Sequence, residues 1–186
     1  MATMSQATRS ELAVPVEPTD HALGPDHAPV TVVEYGDFEC PMCRVAAPAA
    51  RLLLERHPNR VRLVFRHFPI EDAHPHALQA AEAAESAAAQ GRFWEMHDLL
   101  FDHQAHLKRR DLERYAAQLG LDPVRFAAEL NGHIYLQRVR EHVDGARRMH
   151  VRATPTFYVN GVVQDVSFGM QALHDAVAAA AEHAPG

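Results

Sequence analysis

The chain has 186 residues, 47% of them apolar and 23% charged, with a formal net charge of -6. That length and balance suit a single globular domain with room for an insertion. They argue against a nucleic-acid or anionic-membrane partner, and no apolar run approaches the roughly 18 residues needed to span a bilayer.

Met1 to Asp20 is polar and lacks a basic segment followed by an apolar run, so no secretory signal is expected here and a cytoplasmic location is expected. Residues 1–28, rich in Pro, Thr, Ser and charge, are expected to form a flexible tail, with a short edge strand near Leu12 to Val16. Gly24-Pro25 and Ala28-Pro29 mark the entry to the domain. Val30 to Tyr35 is a β-branched apolar run that predicts a buried strand.

Directly after it come the only two cysteines of the chain, in Cys40-Pro41-Met42-Cys43. Helical spacing then takes over, with Val45, Ala46, Ala49, Leu52 and Leu53, until Pro58-Asn59. Val61 to Phe65 predicts a second strand. Strand, helix and strand in so short a span is a βαβ unit, with parallel pairing and a right-handed crossover.

Residues 75–150 read as helical throughout. An Ala-rich helix from Ala77 ends at Gly91, and a second runs from Phe93 to His103. A Leu112, Tyr115, Ala116, Leu119 stripe closes at Gly120, Asp122-Pro123 caps a fourth helix, and Tyr135, Val139, Val143 and Ala146 line a fifth. Strand character returns at Thr156 to Val159. Asn160-Gly161 signals a hairpin into Val162-Val163, and a helix from about Met170 to His183 closes the chain. The fold class is α/β: the core comprises residues 29–74 and 151–186, and residues 75–150 form a helical insertion.

A Cys-x-x-Cys pair at the start of a helix can cycle between dithiol and disulfide. Cys40, at the helix N-terminus, is the expected nucleophile, because unpaired N–H groups and the macrodipole favour its thiolate. Pro41 fits the first turn, where its missing N–H is not needed. Cys43, one turn inward, is the expected resolving thiol. Two other readings stay open at this level. The pair could be inert buried cysteines, or it could supply two zinc ligands, with His74-x-His76 as the nearest further donors. Asp37 and Glu39 are expected to be solvated loop charges. His67, His74 and His76 are expected to be helix caps or surface histidines. Trp94, Phe93, Phe101 and Tyr115 are expected in the core, and Lys108-Arg109-Arg110 at a solvated helix start.

The motif order also carries a family resemblance. Gly36-Asp37-Phe38-Glu39-Cys40-Pro41-Met42-Cys43-Arg44, Phe65-Arg66-His67-Phe68-Pro69, His74-Pro75-His76-Ala77, Phe93-Trp94-Glu95-Met96-His97 and Thr154-Pro155-Thr156-Phe157 together resemble the DsbA-like family of thioredoxin-fold thiol–disulfide oxidoreductases. The resemblance covers about residues 23 to 180. It is closer to the cytoplasmic branch, including domains fused to NhaA-type antiporters. It implies a thioredoxin fold with an inserted helical block, and a cis Pro155 whose loop packs against the cysteines. It also implies that the Thr154 backbone pairs with extended substrate, and that Glu34 is a buried acid serving Cys43. Pro41, Met42, Thr154 and Pro155 would then contact substrate. No cofactor or metal is implied. Partners would be protein or small-molecule thiols and disulfides and a redox-recycling partner, without nucleic acid or membrane insertion. Met42 stands where the secreted oxidase has histidine, so a less oxidising couple is expected. Two alternatives remain: a kappa-type glutathione-dependent transferase or isomerase, against which the second cysteine counts, and a non-catalytic redox-sensing binding module.

Overall fold

The computed structural model describes residues 14–183. Five strands and seven helices follow one another as β1 (His21–Leu23), β2 (Val30–Gly36), α1 (Pro41–Arg56), β3 (Val61–His67), α2 (Ala77–Ala88), α3 (Phe93–Asp102), α4 (Arg109–Gln118), α5 (Pro123–Asn131), α6 (Leu136–Arg148), β4 (Thr156–Val159), β5 (Val162–Gln164) and α7 (Gln171–His183). The sheet order is β1-β3-β2-β4-β5. β2 and β3 pair in parallel across the α1 crossover, and the other neighbours are antiparallel. The expected βαβ unit, helical block and ββα unit are all present.

Period-two alternation divides the sheet between two cores. Val30 and Val32 of β2, Val61 and Leu63 of β3, and Phe157 and Val159 of β4 pack against Ala46, Ala50 and Leu53 of α1 and Leu173 and Val177 of α7. On the opposite face, Val33, Tyr35, Val64 and Tyr158 meet Ala146 of α6 together with Met149 and Val151. A third core fills the helical block, and Cys40, Cys43, Phe38 and Phe65 belong to it. The cysteine pair is therefore wedged between the sheet unit and the insertion.

The helix faces correct two details. The buried stripe of α1 is Cys43, Ala46, Ala50 and Leu53, and Val45 points outward. Helix α1 also runs through Pro48, which has no N–H to offer the Arg44 carbonyl one turn back. In α6 the buried face includes His142 beside Val139 and Ala146, so polar chemistry lies where only an apolar stripe was expected.

The flexible tail expected through residue 28 is also corrected. β1 lies inside that segment, antiparallel to β3, with His21 opposite Phe65. The expected edge strand at Leu12–Val16 falls partly outside the described residues, and Val14 to Val16 form no strand. Asp20 and Arg66 anchor the segment. Arg66 Nε and Nη2 donate to the two Asp20 carboxylate oxygens at 3.0 and 2.7 Å, with side-chain exposures of 3% for Arg66 and 4% for Asp20. The same guanidinium donates to the Val14 and Pro15 carbonyls and to the Tyr35 hydroxyl. A bidentate pair with every other donor engaged is the geometry in which a buried ion pair holds. Sequence pattern hides it because Arg66 interrupts an apolar strand from a position that reads as outward-facing.

Candidate active site

Cys40 is the N-cap of α1 and Pro41 opens the helix. Cys40 Sγ donates to the Thr154 carbonyl at 3.3 Å, and the Asp37 N–H reaches Cys43 Sγ at 3.4 Å. Both cysteines are free thiols and both are buried. The Thr154–Pro155 peptide is cis. The β2–α1 turn and the α6–β4 loop thus converge on one sulfur.

Their acidities are driven apart. A hydrogen bond from Cys43 lowers Cys40 most. Burial opposes this, and Thr154 and the Cys43 and Met42 backbone N–H groups add to the lowering, which brings Cys40 down to about 5. The Thr154 hydroxyl is buried and has no other partner, so it can donate to the thiolate. Cys43 moves far upward, chiefly by burial, then by its hydrogen bond to Cys40 and by the charges of Glu34 and Cys40. One sulfur is a ready nucleophile at neutral pH, and its neighbour keeps its proton.

Glu34 sits on the α1 face of β2, opposite Phe65 of β3 and Phe157 of β4. It is 2% exposed, and its Oε1 has no hydrogen-bond partner. Burial, reinforced by the Cys40 charge, pushes its carboxyl up to about 8.

Asp37 and Glu39 are not solvated loop charges. The Asp37 side chain is buried and ties the turn together. Its Oδ1 accepts the Glu39 N–H, and its Oδ2 accepts the Ile70 N–H and lies 2.7 Å from His74 Nδ1. Glu39 Oε2 accepts the His76 N–H at 2.6 Å. Gln104, which no sequence signal marks, donates through Nε2 to the Phe38 and Cys40 carbonyls at 2.9 and 2.8 Å. Nothing short of the fold brings residue 104 to this turn.

The other histidines need a similar correction. His67 is fully buried, and its Nε2 lies 2.8 Å from Glu85 Oε1, as does that of His21. His21, His67 and Glu85 form a three-donor cluster of metal-ligating type, and neither cysteine belongs to it. A metal on His67 Nε2 would move the ring proton to Nδ1, which is buried without a partner. The cluster is better explained as two imidazoles donating to one carboxylate, fastening β1 and β3 to α2. The zinc reading of the cysteines weakens too, because no group of three metal-ligating side chains among the described residues includes Cys40 or Cys43.

A largely apolar groove of about 440 Å³ runs beside Cys40, lined by Met42, Val45, Ala153, Thr154, Pro155 and Met170 among others. Met42 is 56% exposed, and Val45 is more so. Met42, Thr154 and Pro155 are therefore gathered around one opening, whereas Pro41, the first residue of α1, is not among its lining residues.

Comparison with known proteins agrees with this geometry. Residues 16–179 match the Thioredoxin family model. The chain belongs to the thioredoxin family. BdbD from Bacillus subtilis superposes with a TM-score of 0.80 at 25% identity, over 88% of this chain and 93% of that one. A thioredoxin-like oxidoreductase from Silicibacter pomeroyi gives 0.76 at 28% identity, over 90% and 95% of the two chains. Within the family, then, the architecture is that of the DsbA-like oxidoreductases. By sequence, the chain is 53% identical over 171 residues to the Na(+)/H(+) antiporter NhaA 1 of Salinispora arenicola, a match covering 91% of this chain and 26% of that protein. It spans about a quarter of the length of the curated relatives it matches. No helix among the described residues is long and apolar enough to cross a membrane.

Proposed function

We propose that this chain is a thiol–disulfide oxidoreductase domain in which Cys40 attacks and Cys43 resolves. The observation that carries the proposal is the placement of Cys40 Sγ at the start of α1, 3.3 Å from Thr154 O, with a buried thiol one turn behind it. The Cys40 thiolate attacks a partner disulfide, forming a mixed disulfide and releasing one partner sulfur as a thiolate. Cys43 then loses its proton and attacks the Cys40 sulfur, releasing the second partner sulfur. The chain ends as the Cys40–Cys43 disulfide, and the partner has gained two electrons; of its two thiolates one takes the proton that left Cys43 and the other is protonated by water. The reverse sequence oxidises a dithiol. Glu34 is the group that takes the Cys43 proton, since it is buried and its acidity lies near neutrality. The groove suits an extended, apolar peptide segment laid against Thr154 and Pro155.

Insulin reduction with wild type, Cys40→Ser and Cys43→Ser is the test. Turnover lost in both variants, with a trapped mixed disulfide in Cys43→Ser, supports the proposal; turnover surviving Cys40→Ser refutes it. A kappa-type glutathione enzyme would keep its activity without Cys43.

A second reading is favoured by the antiporter-length relatives: the domain reports redox state to a membrane transport protein rather than turning over substrate. Wild type that forms the disulfide but shows no insulin turnover would support it. The cytoplasmic setting belongs to the same proposal, and alkylation trapping in intact cells tests it.

A further inference from the structure

The β3–α2 loop meets the Cys40–Cys43 turn at one carboxylate. Asp37 Oδ2 lies 2.7 Å from His74 Nδ1, across 37 positions of sequence. The main chain of Asp37 touches both cysteines: its carbonyl accepts the Cys40 N–H at 3.1 Å, and its N–H points to Cys43 Sγ at 3.4 Å. The His76 N–H to Glu39 Oε2 bond fastens the same two segments a second time. The His74 ring is held by Asp37, whose main chain bonds the Cys40 N–H and the Cys43 sulfur, and it sits on an element outside the Cys-x-x-Cys motif. Inside the motif, Met42 carries no charge and is turned toward the groove.

We infer that His74 is a positioning residue for Cys40: clamped by Asp37, its imidazolium supplies the cationic charge that favours the Cys40 thiolate, which no side chain within the motif provides. This rests on the thiol–disulfide reading above.

The electrostatics run in this direction. Burial lowers His74, but its hydrogen bond to Asp37 and the charges of Asp37, Cys40 and Glu39 outweigh that, and its proton affinity rises. Those groups, from the β2–α1 turn and the start of α1, are the charges acting on it. Glu71 and Asp72 of its own loop are exposed. The His74 side chain keeps 19% exposure, so it can exchange its proton with water. Linkage makes the effect reciprocal. If the Cys40 thiolate raises the proton affinity of His74, the imidazolium lowers that of Cys40 by the same factor. Disulfide formation removes the negative charge, so oxidised protein should release the His74 proton more readily. Cys43 and the helix N–H groups set most of the Cys40 acidity, and His74 adds a longer-range contribution.

The first test is an NMR pH titration of the His74 ring in wild type, reduced and after disulfide formation with diamide. The proton affinity of His74 should fall by about three- to tenfold on oxidation, the scale of one charge acting over roughly 10 Å at an effective dielectric between about 20 and 80. Equal affinities in the two states would overturn the inference. The second test follows thiolate absorbance at 240 nm in His74→Gln and His74→Lys. The glutamine variant should bind the Cys40 proton more tightly by the same factor, and the lysine variant should stay near wild type. An equal disturbance in both would mean that the Asp37 clamp is only structural, and would overturn it too. Neither readout needs turnover, so a protein without insulin activity but with the His74 shift would fail the exchange reading and keep this one.

Discussion

The Cys40 sulfur and the Thr154 carbonyl oxygen lie 3.3 Å apart although 114 positions separate them. A thiol can donate to that carbonyl, and a thiolate cannot. Ionisation therefore releases the Thr154 carbonyl and leaves the Thr154 hydroxyl, which has no other partner, as a donor to the sulfur. The carbonyl is then open to a substrate N–H at the moment Cys40 becomes reactive. Thr154→Val removes the hydroxyl and keeps the carbonyl. The expected outcome is a Cys40 acidity weaker than the value of about 5 by about tenfold or more, one charge-assisted hydrogen bond. A 240 nm titration checks it, and an unchanged midpoint would remove the hydroxyl from the account.

The split between the two sulfurs fixes how the redox potential depends on pH. Below the Cys40 value of about 5, reduction takes up two protons with two electrons, a slope of about 59 mV per pH unit. Above it Cys40 stays ionised while Cys43 keeps its proton, and the slope falls to about 30 mV. Equilibration with glutathione from pH 4 to 8 should show the break. In the same assay Met42→His should raise the potential, because a nearby imidazolium stabilises the reduced thiolate form. A potential that is unchanged or lower would show that position 42 does not tune the couple.

Much of this fold was legible in sequence because its signals are local. The β-branched runs at β2 and β3, the Asp122 cap, the Asn160-Gly161 turn and the cysteine spacing each act within a few residues. Motif order points to Glu34, Cys40, Cys43, Thr154 and Pro155, of which the structure sets Cys40 against Thr154 and leaves Glu34 buried. The missed residues are those whose role exists only across the fold. Asp37 reads as a loop charge until β3–α2 closes over it. Gln104 reads as surface until the insertion docks. His67, His142 and Arg66 occupy positions where alternation predicts apolar or outward side chains, and partners distant in sequence hold them there: Glu85 of α2 for His67, the His67 N–H for His142, and Asp20 for Arg66. The tail was misjudged for the same reason: a three-residue edge strand and one aspartate carry too little pattern to announce their partner.

The Asp20–Arg66 pair makes that segment a stability element. Removing the carboxylate in Asp20→Ala leaves a buried guanidinium facing only neutral acceptors, expected to cost about 3–5 kcal/mol. Replacing both residues with apolar ones should cost less than the single variant. Acid dependence follows in sign. Burial raises Asp20, but the hydrogen bonds from Arg66 and from the Glu17 N–H, with the Arg66 charge, hold it below its ordinary 3.8. Its stabilisation is therefore fully present above about pH 4 and is lost as pH falls through the folded value. The gap between the urea midpoints of wild type and Asp20→Ala should be smaller at pH 3 than at pH 6. A constant gap would show that the pair is not the source.

Glu34 has the opposite sign. Folding raises its carboxyl from 4.5 to about 8, because burial leaves Oε1 without a partner and the Cys40 charge lies near. Between those pH values the unfolded chain ionises this group and the folded chain does not, so the native state loses stability as pH rises and levels off above about 8. Glu34→Gln has nothing to ionise. Its stability relative to wild type should grow between pH 5 and 8 by up to about 4 kcal/mol, the linkage value for a shift of this size, as read from urea unfolding of the reduced protein. The same variant tests the proton-transfer role separately. Resolution of a mixed disulfide on Cys40 should slow, and its rate should lose the ionisation near pH 8 that wild type shows. A variant with the expected stability gain but an unchanged resolution profile would leave Glu34 as a buried acid with no part in moving the Cys43 proton.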